Sequence, residues 1–367
     1  MIARRSLLAW MAAAAATASG RTQAAGPSPL AFPRDFGAHL DARIEWWYAT
    51  GWLHGVEAPA DTPAYGFQLT FFRTRTGLAQ RLESRFAARQ LLFAHAALTD
   101  LAGRRQLHAE RIARWSGDEA APRAAAATAD TRVHLGGWQL ARNAAAGGSS
   151  YAAKIADDAA GFACQLTLSS TQPLLLQGQA GWSRKGPDAA QASRYYSQPQ
   201  LAVSGELNVA GRTRPVRGLA WLDHEWSDSL LDAQAVGWDW IGINLHDGSA
   251  LTAFVLRRAD GSTLWAGGSH RTPGAAARIF GPDEVRFTPG RRWTSAASRA
   301  AYPVQWTVET PLGRHSVEAL LDAQELDSRA STGAFYWEGL SALRDPRGQR
   351  VGLGYLEMTG YASRLRL

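Results

Sequence analysis

The sequence predicts an all-β protein made of two antiparallel β-barrels in tandem. Short apolar or aromatic runs alternate with polar turns along most of its 367 residues, and stretches with a helical period are few. Hydrophobic residues make up 46% and charged residues 19% of the chain, which is the balance of a globular protein with a substantial core. The length suits two domains. We expect one barrel over residues 30–205 and the second over 206–367.

The first half contains six predicted strands separated by turns such as Ala146-Gly147-Gly148. They cover residues 43–54, 64–74, 93–99, 132–141, 151–155 and 161–169. The Ala-rich segment 118–130 is expected to be a surface loop or a short helix. The alternation is lost over 178–198, which we expect to be a long loop.

The second half contains ten predicted strands. They cover residues 201–210, 214–223, 235–245, 250–257, 264–270, 284–288, 303–309, 313–319, 334–343 and 351–361. Asp247-Gly248 and Asp260-Gly261 are the clearest hairpin turns, because Asp-Gly readily adopts the backbone that a two-residue turn requires. Strands 235–245 and 250–257 are therefore expected to pair.

Residues 1–25 are predicted to be an export signal. Arg4 and Arg5 precede an apolar stretch over 7–18, and small residues follow, with cleavage expected near Ala24–Gly26. The arginine pair favours the twin-arginine route, with the general secretory route as the alternative. The apolar stretch is shorter than the roughly 20 residues that a spanning helix needs. We expect a periplasmic or secreted protein without a membrane span.

Composition excludes several classes of function. The net charge is +7, but the arginines are scattered, so no nucleic-acid partner is expected. The single Cys164 cannot form an intramolecular disulfide. Nucleotide-binding, zinc-protease and serine-hydrolase motifs are missing, and no cofactor is expected. A metal site from His95, His108 and His224 is the alternative to no metal, although no two of these histidines have short ligand spacing.

The densest cluster of candidate residues surrounds His224. Alternate side chains of a strand share a face, so His224 and Trp226 are expected on one side and Asp223 and Glu225 on the other. If the His224 face lines a barrel cavity, the imidazole could move a proton beside a hydrophobic ligand. The alternative is a hydrogen-bonded structural histidine near a barrel mouth.

The second cluster is Glu45-Trp46-Trp47-Tyr48 on the first predicted strand. Burial among aromatic rings would raise the pKa of Glu45 and make it a proton donor, unless a histidine or arginine pairs with it. Asp239, which lies between Trp238 and Trp240, is a third candidate acid. Other polar residues on aromatic strands include Tyr336-Trp337-Glu338 and Glu357. The residues expected to bind a ligand are Trp226, Trp47, Tyr48, His95, Trp240, Tyr336 and Tyr355.

Several of these segments resemble one family of secreted proteins. They are the arginine-pair leader, Glu45-Trp46-Trp47-Tyr48, residues 66–73 (GFQLTFFR), residues 94–100 (AHAALTD) and residues 222–227 (LDHEWS). Together they resemble the lipocalin-like family of AttH, carotenoid 1,2-hydratases (hydroxyneurosporene synthases) and "predicted secreted hydrolases". The resemblance covers nearly the whole chain after the leader.

The resemblance implies two lipocalin-like barrels with an apolar ligand cavity. Carotenoid hydratases of this family protonate a terminal alkene and capture the cation with water, without a redox cofactor. His224 and Trp226 match the His-x-Trp pair of these hydratases. Their Tyr-x-Asp pair is missing, since Leu251-Thr252-Ala253 stands in its place. This departure favours the AttH-like branch, or requires Asp239 or Glu45 as the proton donor.

Two functions follow as expectations. The first is an exported carrier that binds a hydrophobic small molecule, such as a lipid or isoprenoid, linked to components of an ABC transport system. The alternative is a cofactor-independent hydratase or hydrolase that uses His224 with Glu45 or Asp239. A purely structural partner of a membrane transporter is a third hypothesis.

Overall fold

A computed structural model describes residues 28–364 of the chain, apart from residues 60, 85, 146, 229 and 230. The predicted export signal, residues 1–25, lies outside the described residues. Nearly all regular structure is antiparallel β-sheet, and the one helical element in the described ranges is a single 3₁₀ turn, η1 (Arg34–Phe36). The predicted all-β class is therefore confirmed. Among these residues, no helix is long and apolar enough to cross a membrane.

The first sheet has thirteen strands. They are β1 (Ile44–Gly55), β2 (Tyr65–Arg75), β3 (Gln90–Asp100), β4 (Arg105–Trp115), β5 (Ala124–Ala126), β6 (Arg132–Leu135), β7 (Trp138–Ala145), β8 (Gly148–Asp157), β9 (Phe162–Ser169), β10 (Leu175–Leu176), β11 (Trp182–Arg184), β12 (Ala192–Val209) and β13 (Arg212–Ser227). The order is β4-β3-β2-β1-β13-β12-β9-β8-β7-β6-β5, and β10 and β11 pair with β12.

This sheet curls into a nearly closed barrel. Arg111 on the edge strand β4 donates to the Leu135 carbonyl (3.4 Å) and the Ala156 carbonyl (3.0 Å), and its guanidinium lies 4.3 Å from the centre of the Trp138 ring. Inward side chains of its strands form one continuous hydrophobic core. Cys164 is buried in that core, and burial raises the pKa of its thiol to about 12.

The second sheet has ten strands, and a separate two-stranded hairpin lies between two of them in the sequence. The strands are β14 (Gly237–Leu245), β15 (Ala250–Arg257), β16 (Thr263–Arg271), β17 (Arg278–Phe280), β18 (Arg286–Pro289), β21 (Gln305–Thr310), β22 (Gly313–Ala319), β23 (Glu325–Ser328), β24 (Ala334–Arg344) and β25 (Arg350–Met358), with β19 (Arg292–Thr294) and β20 (Ala301–Pro303) as the hairpin. The order is β17-β16-β15-β14-β25-β24-β22-β21-β18, and β23 pairs with β24.

The second sheet also folds around its own core. Phe280 on the edge strand β17, Ile241 on β14 and Val308 on β21 belong to one cluster of buried side chains. A sheet must curve strongly to bring side chains from both of its halves into one core. Each sheet therefore fills its interior with its own side chains.

The outer faces of the two sheets pack on each other. A third core cluster joins Tyr48 and Trp221 of the first sheet to Trp240 and Phe254 of the second. Asn244 fixes the contact, because its amide nitrogen donates to the Ala220 carbonyl (3.0 Å) and its oxygen accepts from the Gln200 backbone (2.8 Å). The protein thus has three buried layers, two inside the sheets and one between them.

The two sheets are not divided between residues 205 and 206, where the border between the two barrels is expected. The expected border places β13 in the second barrel, but β13 pairs with β12 and β1 and belongs to the first sheet. Ala210 and Gly211, both with positive φ, form the tight turn of a long β12–β13 hairpin. The chain leaves the first sheet after Ser227 and enters the second at Gly237.

Other segments also differ from expectation. The predicted strand over 132–141 is split into β6 and β7 by a turn at Gly136-Gly137, where Gly136 has φ 62°. The segment 118–130 contains the buried strand β5, and the loop expected over 178–198 contains β11 and the beginning of β12. Pairing with neighbouring strands decides the structure of these segments, and local alternation does not reveal that pairing. The hairpin predicted from Asp247-Gly248 is confirmed, since β14 and β15 pair antiparallel and Asn244 lies opposite Ala250 next to the turn.

Candidate active site between the sheets

A cavity of about 310 Å³ lies between the outer faces of the two sheets. Its apolar walls include Trp46 and Phe72 from the first sheet and Trp238, Trp240 and Phe254 from the second. Pockets of this size and aromatic character hold small molecules when a few polar groups converge in them. The polar residues on these walls include Tyr48, His95, Lys185, Tyr195, Asp223, Glu225, Tyr336, Glu338 and Glu357.

Strand alternation places the residues around His224 in two compartments. Asp223 and Glu225 border the cavity, whereas His224 and Trp226 point into the first barrel. His224 is fully buried and does not border the cavity. The expected separation of the two faces is therefore observed, but the cavity lies on the carboxylate side of the strand.

Two glutamates of the second sheet face each other in this cavity. Glu338 on β24 and Glu357 on β25 are directly paired across the strands, so their side chains share one face. Burial, and then the charge of Glu357, raises the pKa of Glu338 well above its usual range. Burial raises the pKa of Glu357 to about 7. Two close carboxyl groups in an apolar site disfavour double ionisation, so Glu338 is neutral at neutral pH.

The hydrogen bonds of Glu338 leave one oxygen available. Its Oε2 accepts a hydrogen bond from the Gln68 amide nitrogen at 2.7 Å. Its Oε1 and the Tyr48 hydroxyl are buried, and the two side chains interact with each other, but neither atom makes a well-formed hydrogen bond within the described part of the chain. Since Oε2 is already an acceptor, the proton of neutral Glu338 belongs on Oε1. An acidic O–H group that interacts only with the Tyr48 hydroxyl among the described residues therefore borders the cavity.

A chain of hydrogen bonds holds Gln68 in place. The Gln68 amide nitrogen also donates to the Tyr336 hydroxyl (3.1 Å), which lies 2.8 Å from His95 Nδ1. His95 Nε2 lies 2.8 Å from Ser331 Oγ, and that hydroxyl donates to Glu110. Because the Ser331 hydroxyl donates to Glu110, its oxygen accepts from His95 Nε2, and His95 Nδ1 accepts from the Tyr336 hydroxyl. Burial, and then the neighbouring His108, lowers the pKa of His95 to about 3, so the ring is neutral.

Asp223 supplies a third carboxyl group on the opposite wall. Burial raises its pKa to about 7, although it accepts hydrogen bonds from Tyr195 (2.8 Å) and Trp221 (2.6 Å). Its neighbour Glu225 is paired with Lys185 at 3.0 Å. The Lys185 amine also lies 4.4 Å from the centre of the Phe254 ring. The cavity thus contains carboxyl groups suited to donate and to accept protons near neutral pH.

Glu45 and His224 form a separate network inside the first barrel. Glu45 accepts from Arg73 Nε at 2.8 Å, from His224 Nε2 at 2.9 Å and from His39 Nδ1 at 2.8 Å. Burial alone would raise the pKa of Glu45, but hydrogen bonds from His224 and His39 and the nearby positive charge hold it well below the usual range. Burial lowers the pKa of His224, and its Nδ1 lies 3.0 Å from the Tyr196 hydroxyl.

This network is the one group in the described residues with metal-ligand geometry. The ligand atoms of His39, Glu45 and His224 lie within 4.8 Å of one another. Both imidazoles direct an N–H at the same Glu45 oxygen, and the Arg73 guanidinium occupies the other one. A cation would have to replace these bonds beside a fixed positive charge. We therefore interpret the group as a buried salt-bridge network. His95 and His108 do not belong to it.

The two expected proton donors are engaged in ion pairs. Glu45 is among the residues that border the cavity, but its carboxylate is fully buried in the network with Arg73, His224 and His39. Asp239 points into the second sheet, where it pairs with Arg257 Nε (2.8 Å) and accepts from the Tyr361 hydroxyl (2.9 Å). Burial raises the pKa of Asp239 to about 6. Both are counterions of buried arginines.

The expected ligand-binding residues fall into two groups, those that border the cavity and those that are buried in a core. Tyr48, His95, Trp240 and Tyr336 border the cavity. Trp47 and Trp226 belong to the core of the first barrel, where Trp226 stacks on His39 with ring centres 3.6 Å apart. Tyr355 is buried where the sheets pack, and its hydroxyl lies close to Gly66. Five further residues of the site are not among the expected catalytic or ligand-binding residues. Asp223, Glu338 and Glu357 stand out in the sequence only as polar neighbours of aromatic residues, and no signal assigns a role to Gln68 or Lys185.

A lipocalin-like protein of two sheets, with a ligand-sized cavity between them, is the class that this fold and site define. A model of the AttH-like family matches residues 23–361. The crystal structure of an AttH protein from Nitrosomonas europaea is similar, with 47% identity, a TM-score of 0.81 and coverage of 92% of this chain and 98% of that one. The chain belongs to the AttH-like family.

Two more distant structures share the fold alone. Kievitone hydratase from Nectria haematococca is 14% identical, with a TM-score of 0.68 and coverage of 91% of this chain and 94% of that one. CghA, in a crystal structure with Sch210972, is 13% identical and has a TM-score of 0.51. The match covers 88% of this chain and 89% of that one. The comparison with curated proteins finds no match.

Proposed function

We propose that this protein is an acid–base enzyme of the hydro-lyase type, which adds water to, or removes it from, a largely apolar small molecule in the inter-sheet cavity. The observation that carries the proposal is the Oε1 atom of Glu338. It belongs to a carboxyl group whose pKa is raised well above the usual range, it makes no well-formed hydrogen bond among the described residues beyond its interaction with Tyr48, and it borders an aromatic cavity. A buried neutral carboxylic acid is a strong hydrogen-bond and proton donor.

The chemistry of a hydration step assigns a role to each carboxyl group. The Glu338 proton is transferred to one alkene carbon, which leaves a carbocation on the other. Water attacks this cation and forms the new C–O bond, while its surplus proton goes to the carboxylate of Glu357 or Asp223. Proton transfer back to Glu338 closes the cycle, and dehydration is the same sequence reversed. The rings of Trp46, Trp238 and Trp240 would stabilise the cation through their faces.

The polarity of the walls supports a ligand that is mostly apolar. The cavity is lined chiefly by indole, phenyl and aliphatic groups. Its acidic groups are concentrated on the paired strands β24 and β25 and on β13. A terminal alkene, or a tertiary alcohol on an isoprenoid-like chain, fits this division. Kievitone hydratase shows that the same fold occurs in a protein named for adding water. Its 14% identity carries no residue correspondence to this chain.

A carrier of hydrophobic molecules is the second candidate function. The aromatic walls favour it, since they would bind a lipid or isoprenoid without any chemistry. A carrier does not need a desolvated acid, and burying Glu338 without a well-formed hydrogen bond at Oε1 costs stability. For this reason we place the hydro-lyase first. Export of the protein, its periplasmic or secreted location and a link to an ABC transport system stay predictions of the sequence.

Oxygen exchange tests the proposal across a panel of candidate substrates. The purified protein is incubated in H₂¹⁸O with isoprenoid alkenes and tertiary alcohols, and products are analysed by mass spectrometry. We expect ¹⁸O in a tertiary hydroxyl group, and loss of the exchange in Glu338→Gln with ligand binding retained. Quenching of Trp fluorescence measures the binding. Binding without exchange in the wild type would identify a carrier, and equal exchange in both proteins would remove Glu338 from the reaction.

A further inference from the structure

The loop between β2 and β3, residues 76–89, exposes large apolar side chains. Leu78 is 91% exposed, Phe86 62% and Leu82 56%. These are half of the six large hydrophobic side chains that are exposed in the described part of the chain. A soluble surface rarely concentrates such side chains in one short segment unless the segment contacts something apolar.

The loop is held in shape by its own hydrogen bonds. The Thr76 backbone nitrogen donates to the Arg89 carbonyl (3.0 Å), and the Thr76 hydroxyl donates to the Ala88 carbonyl (2.7 Å). Arg89 Nε donates to the Leu82 carbonyl at 2.8 Å. The small side chains of Ala79 and Ala87 are buried, while the large apolar ones face outward. Packing within the protein would favour the reverse arrangement.

Positive charge accompanies these apolar side chains. The segment 75–89 contains Arg75, Arg81, Arg85 and Arg89 against the single acid Glu83, which gives a net charge of +3 (4 − 1). Leucine and phenylalanine next to arginine are the combination that binds the interface of anionic membranes, where apolar groups enter the headgroup layer and arginines meet lipid phosphates.

The loop also lies at one end of the inter-sheet cavity. Ile44 near the beginning of β1, Thr74 near the end of β2 and Phe93 near the beginning of β3 all border the cavity. These three positions fall at the same end of the first sheet, because β1 and β3 run antiparallel to β2. The loop connects β2 to β3 at this end.

We propose that the 76–89 loop docks the protein on an anionic lipid bilayer, with Leu78, Leu82 and Phe86 in the headgroup layer and the neighbouring end of the cavity turned towards the membrane. An apolar ligand dissolved in the bilayer would then meet the cavity without crossing water. This docking does not depend on whether the cavity carries out chemistry.

Co-sedimentation with vesicles tests the docking. The protein is mixed with vesicles of phosphatidylglycerol and phosphatidylcholine, and with vesicles of phosphatidylcholine alone. We expect binding to the anionic vesicles that weakens at high salt. The double variant Leu78→Ser/Leu82→Ser should bind at least about tenfold more weakly, because two leucines no longer enter the interface. Ile279→Ser, which changes an exposed apolar residue on β17, should bind like the wild type.

Three results would overturn the proposal. The first is that the wild type does not sediment with anionic vesicles, and the second is that Ile279→Ser loses binding as much as the double variant does. The third is that the wild type forms concentration-dependent dimers that are absent in the double variant. Such dimers would assign the loop to contact between copies of the chain. Thermal unfolding of each variant checks that the fold is kept. Because no turnover is measured, this result is separate from the outcome of the oxygen-exchange experiment.

Discussion

Asp223 and His224 are neighbours on β13, yet their side chains lie in different compartments of the protein. Asp223 borders the inter-sheet cavity, and His224 donates to Glu45 inside the first barrel. The alternation of a strand thus assigns one residue to the candidate chemistry and the next to the stability of the barrel. Substitutions at these two positions should have different consequences.

The salt-bridge network should contribute to folding and not to the cavity. Glu45→Gln removes the charge that pairs with the buried Arg73, and removing one partner of a buried pair costs about 3–5 kcal/mol. His224→Gln removes a neutral hydrogen-bond partner and should cost about 1–3 kcal/mol. Urea unfolding followed by Trp fluorescence measures both. An unchanged free energy of unfolding for Glu45→Gln would contradict this assignment.

Glu338 should make stability depend on pH. Its pKa is raised in the folded protein, so the protonated form stabilises the fold fully below the ordinary pKa of a glutamate. That contribution is lost as pH rises through the raised pKa of the folded state. The stability of Glu338→Gln relative to the wild type should therefore grow as the pH rises above the ordinary glutamate pKa of about 4.3, and level off once the pH passes the raised pKa. Thermal unfolding at a series of pH values measures the difference.

The matched control for this pH series is Glu57→Gln, which changes an exposed glutamate in the turn after β1. It removes an exposed glutamate carboxyl group outside the inter-sheet cavity, and so reports the effect of the same substitution without burial. Comparing each variant with the wild type at the same pH cancels the titration of the buried histidines. A pH-independent difference for Glu338→Gln would show that the carboxyl group is not held neutral by burial.

Tyr195 should tune the acidity of Asp223. The tyrosine hydroxyl donates to Asp223 Oδ2 at 2.8 Å and so favours the ionised carboxylate. In Tyr195→Phe the ring stays and this bond is lost, so the pKa of Asp223 should rise above its value of about 7. Carboxyl ¹³C chemical shifts followed against pH report the change. A lower pKa in the variant would contradict the hydrogen-bond assignment.

Gly66 should be required where the two sheets pack. A Cβ at this position on β2 would lie 2.8 Å from both Leu340 Cβ and the Tyr355 hydroxyl of the second sheet. Gly66→Ala should therefore destabilise the protein by about 1–3 kcal/mol, through overpacking. Gly55→Ala is the control, because a Cβ there meets no atom within 4 Å. Equal unfolding temperatures for the two variants would be inconsistent with tight packing at Gly66.

Much of the fold follows from local patterns in the sequence. Alternation and the Asp247-Gly248 and Asp260-Gly261 turns correctly predict an antiparallel all-β protein and the hairpins of β14, β15 and β16. The prediction that β13 belongs to the second barrel is wrong because its partner strands are chosen by long-range pairing. A strand such as β4 lacks a clean alternation, with partly buried residues on both faces, and the pattern does not predict it.

The candidate site is harder to predict than the fold. The end of β13 is buried on both faces, so hydrophobicity gives no clue to which face borders a cavity. The imidazole of His224 and the indole of Trp226 predict a ligand site on their face of the strand. In the structure these rings pack inside the first barrel, around the charged network of Glu45 and Arg73. Glu338 and Glu357 are brought together by the register of β24 and β25, and this register is not encoded in either segment alone.

The core inside each sheet is separate from the layer between the sheets. Exchange of a cavity-wall residue therefore opens no void inside either sheet, although wall residues such as Tyr48 and Trp240 also belong to the core cluster between the sheets. Asp223 and Tyr48 belong to the half before Ser227, and Glu338 and Glu357 to the half after Gly237. Exchange of the first or second half of the chain between related proteins would combine the acidic groups of one sheet with a different cavity wall from the other. Selectivity for the ligand would then change without any change inside either sheet, which a protein with one barrel cannot achieve in this way.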